Sequence, residues 1–197
     1  AARCNPDDVH GASLVVDPHA HVWQDAGWCG RPWREAVVYE LHVGTFTPEG
    51  SFAAASARLS ELAALGITAV ELMPVAEFPG RRGWGYDGVL PFAPEASSGT
   101  PDELKRLVDQ AHALDLMVLL DVVYNHFGPE GNYLGRYAPE FFSEAQTPWG
   151  SAIDFSRPEV RAFAIESAIS WLRDYRFDGL RLDAIHAIVE PGKMDML

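Results

Sequence analysis

Two short runs place charged and polar side chains where the surrounding pattern favours apolar ones. One reads Asp121-Val122-Val123-Tyr124-Asn125-His126, the other Asp178-Gly179-Leu180-Arg181-Leu182-Asp183-Ala184-Ile185-His186. In an extended segment Arg181 and Asp183 emerge on the same face, because side chains alternate with a period of two. A buried carboxylate without a partner is very costly, and Arg181 lies within reach of Asp183. By itself this pair reads equally well as a nucleophile with its positioning cation or as an ion pair that fixes a core. Asp121, Asn125 and His126 converge on the same end of the fold, and so many polar groups at one mouth exceed what stabilisation requires. An aspartate beside an arginine stays ionised and can attack as a nucleophile, while Asn125 and His126 can hydrogen-bond a polyhydroxylated ligand. The run Gly83-Trp84-Gly85-Tyr86-Asp87 adds an aromatic face flanked by glycines, suited either to stacking on a sugar ring or to packing over strand ends.

Elements able to position these groups follow from the hydrophobic pattern. Val37 to Val43, Ile67 to Val75, Leu116 to Val123 and Phe177 to Ile185 are apolar runs that predict four strands. Continuous rather than alternating hydrophobicity marks strands covered on both faces, hence parallel ones. Phe52, Leu59, Leu62 and Leu65 have helical spacing that stops at Gly66. Thr100-Pro101-Asp102-Glu103 is a capping box with proline at the first helical position, opening a helix with Leu104, Leu107, Val108, Ala111 and Leu114 inward. Ser156 is expected to cap a third helix carrying Val160, Phe163, Ser167, Trp171 and Tyr175.

Strand–helix repeats without an antiparallel hairpin signal give an α/β chain. A doubly wound sheet would carry a glycine-rich phosphate turn after its first strand, and Val43-Gly44-Thr45-Phe46-Thr47-Pro48 is not one. The expectation is therefore the first half, about four β/α units, of a (β/α)8 TIM barrel over residues 37–197. Residues 1–36, rich in Pro, Gly, His and Trp, read as a linker or the end of an N-terminal β-sandwich domain. Long loops follow the strand C-termini, where barrel enzymes place their active sites.

Composition narrows the partners. A net charge of −13 over 197 residues repels phosphate backbones, so nucleic acid is not expected and a neutral substrate fits better. No run is long and apolar enough to suggest a membrane span. Cys4 and Cys29 lack any zinc-ligand spacing, and no metal or organic cofactor is expected.

Asp121 to His126 and Gly179 to His186 resemble the first and second conserved regions of the α-amylase superfamily, in the right order and on the third and fourth strands. That resemblance implies a retaining glycosidase acting on an α-glucan. Asp183 would be the nucleophile and Arg181 the residue that positions it, supported by Asp121. His126 would bind sugar hydroxyls at the cleavage subsite, with Tyr86 stacked beneath that sugar and Asp87 beside it. The family's general acid is a glutamate at the end of a fifth strand, which this reading finds absent from the chain. Glu190 lies too close to Asp183 to fill that place.

Several runs resemble the trehalose-releasing branch of the family, namely Val38 to Phe46, Glu71 to Pro79, His126 to Leu134, Thr147 to Gly150 and His186, which joins Asn125 among the expected substrate contacts. Branching enzymes are the runner-up and isoamylase-type debranching enzymes come third. A non-catalytic carbohydrate-binding fragment is the rival outside enzymes. A cytoplasmic location is expected.

Overall fold

The computed structural model describes residues 1–188, so Glu190 lies outside the described residues. Four parallel strands form the central sheet: β1 (Val38–Leu41), β2 (Ala69–Leu72), β3 (Met117–Val122) and β4 (Gly179–Leu182). They lie side by side in chain order, with Leu41, Leu72, Leu120 and Leu180 at one level of the register. Three long helices connect them: α1 (Phe52–Ala64), α2 (Pro101–Ala113) and α3 (Pro158–Asp174). This is the expected run of β/α units from the front half of a barrel, with every strand shorter than its apolar run.

The core lies between the sheet and the helices. Val70, Leu72, Val118, Leu120 and Val122 face Phe52, Leu59 and Leu62 of α1, Leu104, Leu107 and Val108 of α2, and Trp171 of α3. All six residues of β3 are buried, as a central strand requires. The opposite face of the sheet carries Glu40, Glu71, Leu119, Asp121 and Arg181, which share a side because the register pairs Glu40 with Glu71, Glu71 with Leu119, and Asp121 with Arg181.

Helix starts differ in how well their signals translate. Ser51 accepts from the Ala54 amide at α1, and the complete capping box of Thr100 and Glu103 opens α2. At α3 the expected Ser156 cap is wrong: Arg157 is the cap residue and its side chain makes no capping bond. Ser156 instead donates its hydroxyl to Asp154 Oδ1, two residues upstream, at 2.5 Å. Pro158 needs no amide partner at the first helical position, so the helix starts without the serine.

Two antiparallel pairs correct the expectation of none. Ala76–Glu77 pairs with Leu90–Pro94 in the loop after β2, and Phe142–Thr147 pairs with Gly150–Ile153 in the loop after β3. Both are short and irregular in register, which is why no alternating pattern announces them. The second covers a small apolar cluster of Ile153, Phe155, Val160 and Ala164.

Residues 1–36 contain no strand, only a 3-10 turn at Trp33–Glu35. They run over the helices through specific polar bonds: Arg3 with Asp174 at 2.8 Å, Lys105 Nζ to the Pro18 carbonyl at 2.6 Å, and the Gln24 amide to both carboxylate oxygens of Asp109 at 3.0 Å.

Candidate active site

Asp121 is the fifth residue of β3 and Arg181 its register partner on β4, so their side chains leave the sheet side by side. Arg181 Nη1 donates to Asp121 Oδ1 and Oδ2 at 3.0 and 2.9 Å, and to Asp183 Oδ1 at 2.5 Å. One guanidinium thus spans two carboxylates on neighbouring strands. The Asp121 side chain is fully buried, whereas Asp183 keeps 23% of its surface and is the more accessible carboxylate. Burial pushes the Asp121 carboxyl above its ordinary range, against the pull of the bonds from Arg181 and Tyr86. Hydrogen bonding to Asp121 holds the Arg181 guanidinium further up still, so it is cationic at any working pH.

Immediately after Asp183 the backbone turns through Ala184 at φ 45°, ψ 41°, a left-handed conformation uncommon for alanine. Such strain tends to sit at functional positions where surrounding structure enforces it. His186 follows on an exposed 3-10 turn and makes no hydrogen bond among the described residues. It stands apart from the bonded cluster.

The loop after β2 delivers Tyr86, whose hydroxyl donates to Asp121 Oδ2 at 2.9 Å. Two glycines make this approach possible. Gly85 has φ +92°, and a Cβ there would sit 1.9 Å from the Pro74 carbonyl oxygen. A Cβ on Gly128 would lie 2.1 Å from the Asp87 carbonyl oxygen, so the loop after β3 rests directly on the loop after β2. His42, at the end of β1, adds a bond of 2.9 Å from its Nε2 to the Gly83 carbonyl.

His126 is buried beneath this junction. Burial lowers its pKa, outweighing the Tyr86 backbone and the charges of Asp87 and Asp183, so the imidazole is neutral. Both amide atoms of Asn125 and His126 Nδ1 are buried without a hydrogen-bond partner among the described residues. Buried polar groups are nearly always paired, so three such unpartnered atoms in one place set this spot apart from an ordinary core.

Two features escaped the sequence reading. Trp149, on the antiparallel pair in the loop after β3, stacks on the His126 ring with centroids 5.1 Å apart and planes 16° apart. The Thr-Pro-Trp-Gly turn signalled a tight reversal, though nothing local aimed its tryptophan at a histidine. Glu40 and Glu71 add carboxylates to the open sheet face, and burial followed by the charges of Glu40 and Asp121 pushes Glu71 up. Polar residues inside the first two apolar runs were the available signal. Among the described residues no group of three side chains is arranged to hold a metal ion, and no helix is long and apolar enough to cross a membrane.

Fold and site together define the front part of a β/α barrel with a cluster of polar groups at the strand C-termini. The chain belongs to the alpha-amylase catalytic-domain family, whose model matches residues 25–144. It is 50% identical, over its whole length, to the malto-oligosyltrehalose trehalohydrolase of Deinococcus radiodurans, of which it covers 33%. It is 45% identical to the enzyme of the same name from Saccharolobus solfataricus, covering 36% of that protein. A glucan branching enzyme of Dechloromonas aromatica is 38% identical over 90% of the chain. Among solved structures, a Salmonella typhimurium protein described as an α-amylase superimposes with a TM-score of 0.95 and 53% identity, over 98% of this chain and 33% of that one. An Anoxybacillus pullulanase complexed with maltotetraose gives a TM-score of 0.79 at 27% identity, over 89% of this chain and 32% of that one. The chain spans about a third of the length of the trehalohydrolases it matches.

Proposed function

We propose that the chain forms the front of the active site of a retaining α-glycoside hydrolase that releases trehalose from maltooligosyl trehalose by cleaving the adjacent α-1,4-glucosidic bond. The observation that carries this reading is the Asp121–Arg181–Asp183 bridge at the ends of adjacent parallel strands. The trehalohydrolase relatives at 45–50% identity direct it to maltooligosyl trehalose.

In this mechanism Asp183 is the nucleophile. Arg181 orients its carboxylate through the bond to Oδ1, and Asp121 holds the guanidinium from the other side. Attack on the anomeric carbon breaks the bond to the leaving oxygen and forms a glycosyl ester on Asp183, which water then hydrolyses. Neutral His126 and the amide of Asn125 take sugar hydroxyls, Tyr86 lies under the ring, and Asp87 and His186 flank it. Trp149 extends the aromatic wall above His126.

A retaining glycosidase needs a second carboxyl group about 5–5.5 Å from the nucleophile to protonate the leaving oxygen. Asp121, with its oxygens committed to Arg181 and Tyr86, does not fill that role. The proton donor belongs to a part of the enzyme outside residues 1–188. Residues 1–36 act as the joint between the barrel and a preceding domain, and the enzyme works in the cytoplasm without a cofactor.

The test is chromatography of products from the complete enzyme incubated with maltooligosyl trehalose. Free trehalose is expected. New α-1,6 branches on amylose with no trehalose would move the assignment to a branching enzyme.

A further inference from the structure

Two carboxyl groups outside the proposed catalytic cluster are almost completely withdrawn from water. Glu77 is 1% exposed and Glu95 4% exposed. They bracket the loop that carries Tyr86: Glu77 ends its outgoing strand, Ala76–Glu77, and Glu95 directly follows its returning strand, Leu90–Pro94. Each carboxyl bonds the backbone of the other arm. Glu77 Oε2 accepts from the Ala96 amide at 2.7 Å, and Glu95 Oε2 accepts from the Phe78 amide at 3.2 Å. Glu95 Oε1 also takes the Ser97 amide at 3.1 Å. These crossed bonds close the base of the loop where its strand pairing is irregular, between Ala76 and Glu77.

No described cation is ion-paired with either group. Arg81 lines the same cavity of about 460 Å³, but so do Asp7 and Asp8 from the N-terminal segment. Asp8 is fixed there by the Gly80 amide, 3.2 Å from its Oδ2. The titratable and charged groups around the pair are therefore Asp8, Asp7, Cys4 and Arg81, with His42 and Glu49 lining the adjoining cavity beside Glu95. Two buried carboxylates that face each other and a third acid cannot both stay ionised cheaply.

We propose that Glu77 and Glu95 hold one proton between them, and that this proton latches the base of the 76–97 loop and so positions Tyr86 against Asp121. Burial and then the charge of Glu95 place Glu77 at about 8, against an ordinary 4.5, and burial pushes Glu95 up as well. The sign follows from linkage. When the loop opens, Glu77 returns to its ordinary range and releases its proton. Closure is therefore fully supported below about pH 4.5 and weakens as pH rises toward about 8. Beyond that, both open and closed states are deprotonated and the balance levels off. For one coupled proton the opening equilibrium changes about tenfold per pH unit inside that window. Glu77 and Glu95 are positioning residues, since neither touches the bridge of Arg181.

Amide hydrogen exchange of the complete enzyme, without substrate, reads the latch directly. After correction for intrinsic exchange, protection of peptides spanning 76–97 is expected to fall about tenfold per unit from pH 5 to 8, then flatten. Peptides spanning 104–122 serve as the internal reference. Glu77→Gln keeps an acceptor for the Ala96 amide without a charge and should remove most of the slope. Glu95→Gln should weaken it independently, and the double variant should be flat. A flat curve in the unaltered enzyme, or an unchanged slope in Glu77→Gln, overturns the proposal. The readout needs no sugar, so a failed trehalose assay leaves the latch standing, and a flat exchange curve leaves the proposed reaction standing.

Discussion

Arg181 Nη1 lies 2.5 Å from Oδ1 of Asp183, two residues further along the chain, while the same nitrogen grips the fully buried carboxylate of Asp121. The contact depends on register. Shifting β4 by one residue against β3 would send Arg181 and Asp183 to the helix side together and leave Asp121 without its cation on the opposite face. In the complete enzyme Asp183→Asn removes the attacking charge at little change in volume. Turnover should fall by roughly 10⁴–10⁶-fold, the loss seen on deleting a nucleophile, with the fold retained by circular dichroism. Trapping with a slow fluorosugar should label Asp183 by intact mass. Label on Asp178 would end the assignment.

Tyr86→Phe tests the other side of the bridge. The variant keeps the ring but deletes the donor to Asp121 Oδ2, leaving part of a buried carboxylate unsatisfied. A cost of about 1–3 kcal/mol is expected in urea unfolding. KM should rise more than kcat falls, since the ring remains available for stacking. An unchanged unfolding midpoint would show that the hydroxyl contributes nothing to holding Asp121.

His112 makes stability depend on pH at the opposite end of the barrel. Its Nδ1 lies 2.8 Å from Asp25 and its Nε2 3.1 Å from Asp178, while its ring stacks on Trp28. Burial alone would lower its pKa, yet the bonds to Asp178 and Asp25 outweigh burial and the value is raised. The protonated form therefore stabilises the fold fully below the ordinary value of 6.5, and that stability drains away as pH climbs through the raised folded value. Thermal midpoints of the complete enzyme should fall from pH 6.5 upward. His112→Asn should start lower, by about 2–3 kcal/mol for losing charged hydrogen bonds, and lose most of that dependence. Equal slopes for both proteins would remove His112 from this role.

Strand order, the capping box at Thr100 and the grouping of Asp121, Arg181 and Asp183 were legible because each rests on local periodicity or on a charge inside an apolar run. The Ser156 cap fails because Asp154, two residues away, accepts both the Ser156 amide and its hydroxyl and holds the serine outside the helix, whose cap residue is Arg157. Trp149 over His126 and the crossed bonds of Glu77 and Glu95 depend on how loops fold across one another, and sequence spacing carries no record of that. The same holds for Asp178. It opens the same run as Arg181 and Asp183, but it lies at the opposite end of the strand, where it accepts from the Val118 amide at 2.7 Å and the Trp28 indole at 2.7 Å.

Residues 1–197 expressed alone should associate and be catalytically dead. Among the described residues β1 pairs only with β2 and β4 only with β3, so each presents an unpaired edge. Along the first edge Val37, Val38 and Tyr39 are 51%, 40% and 38% exposed. Open apolar edges of this kind recruit further chains. The chemistry fails for a separate reason. Without a proton donor the leaving oxygen departs as an alkoxide, and acid–base assistance is typically worth about 10²–10⁴-fold. Light scattering should therefore show species larger than the 21.7 kDa monomer. Adding the remaining two thirds of a trehalohydrolase relative as a separate polypeptide should restore both a defined size and trehalose release. A soluble monomer that releases trehalose unaided would show that the edges are self-protecting and that the proton donor lies within this chain.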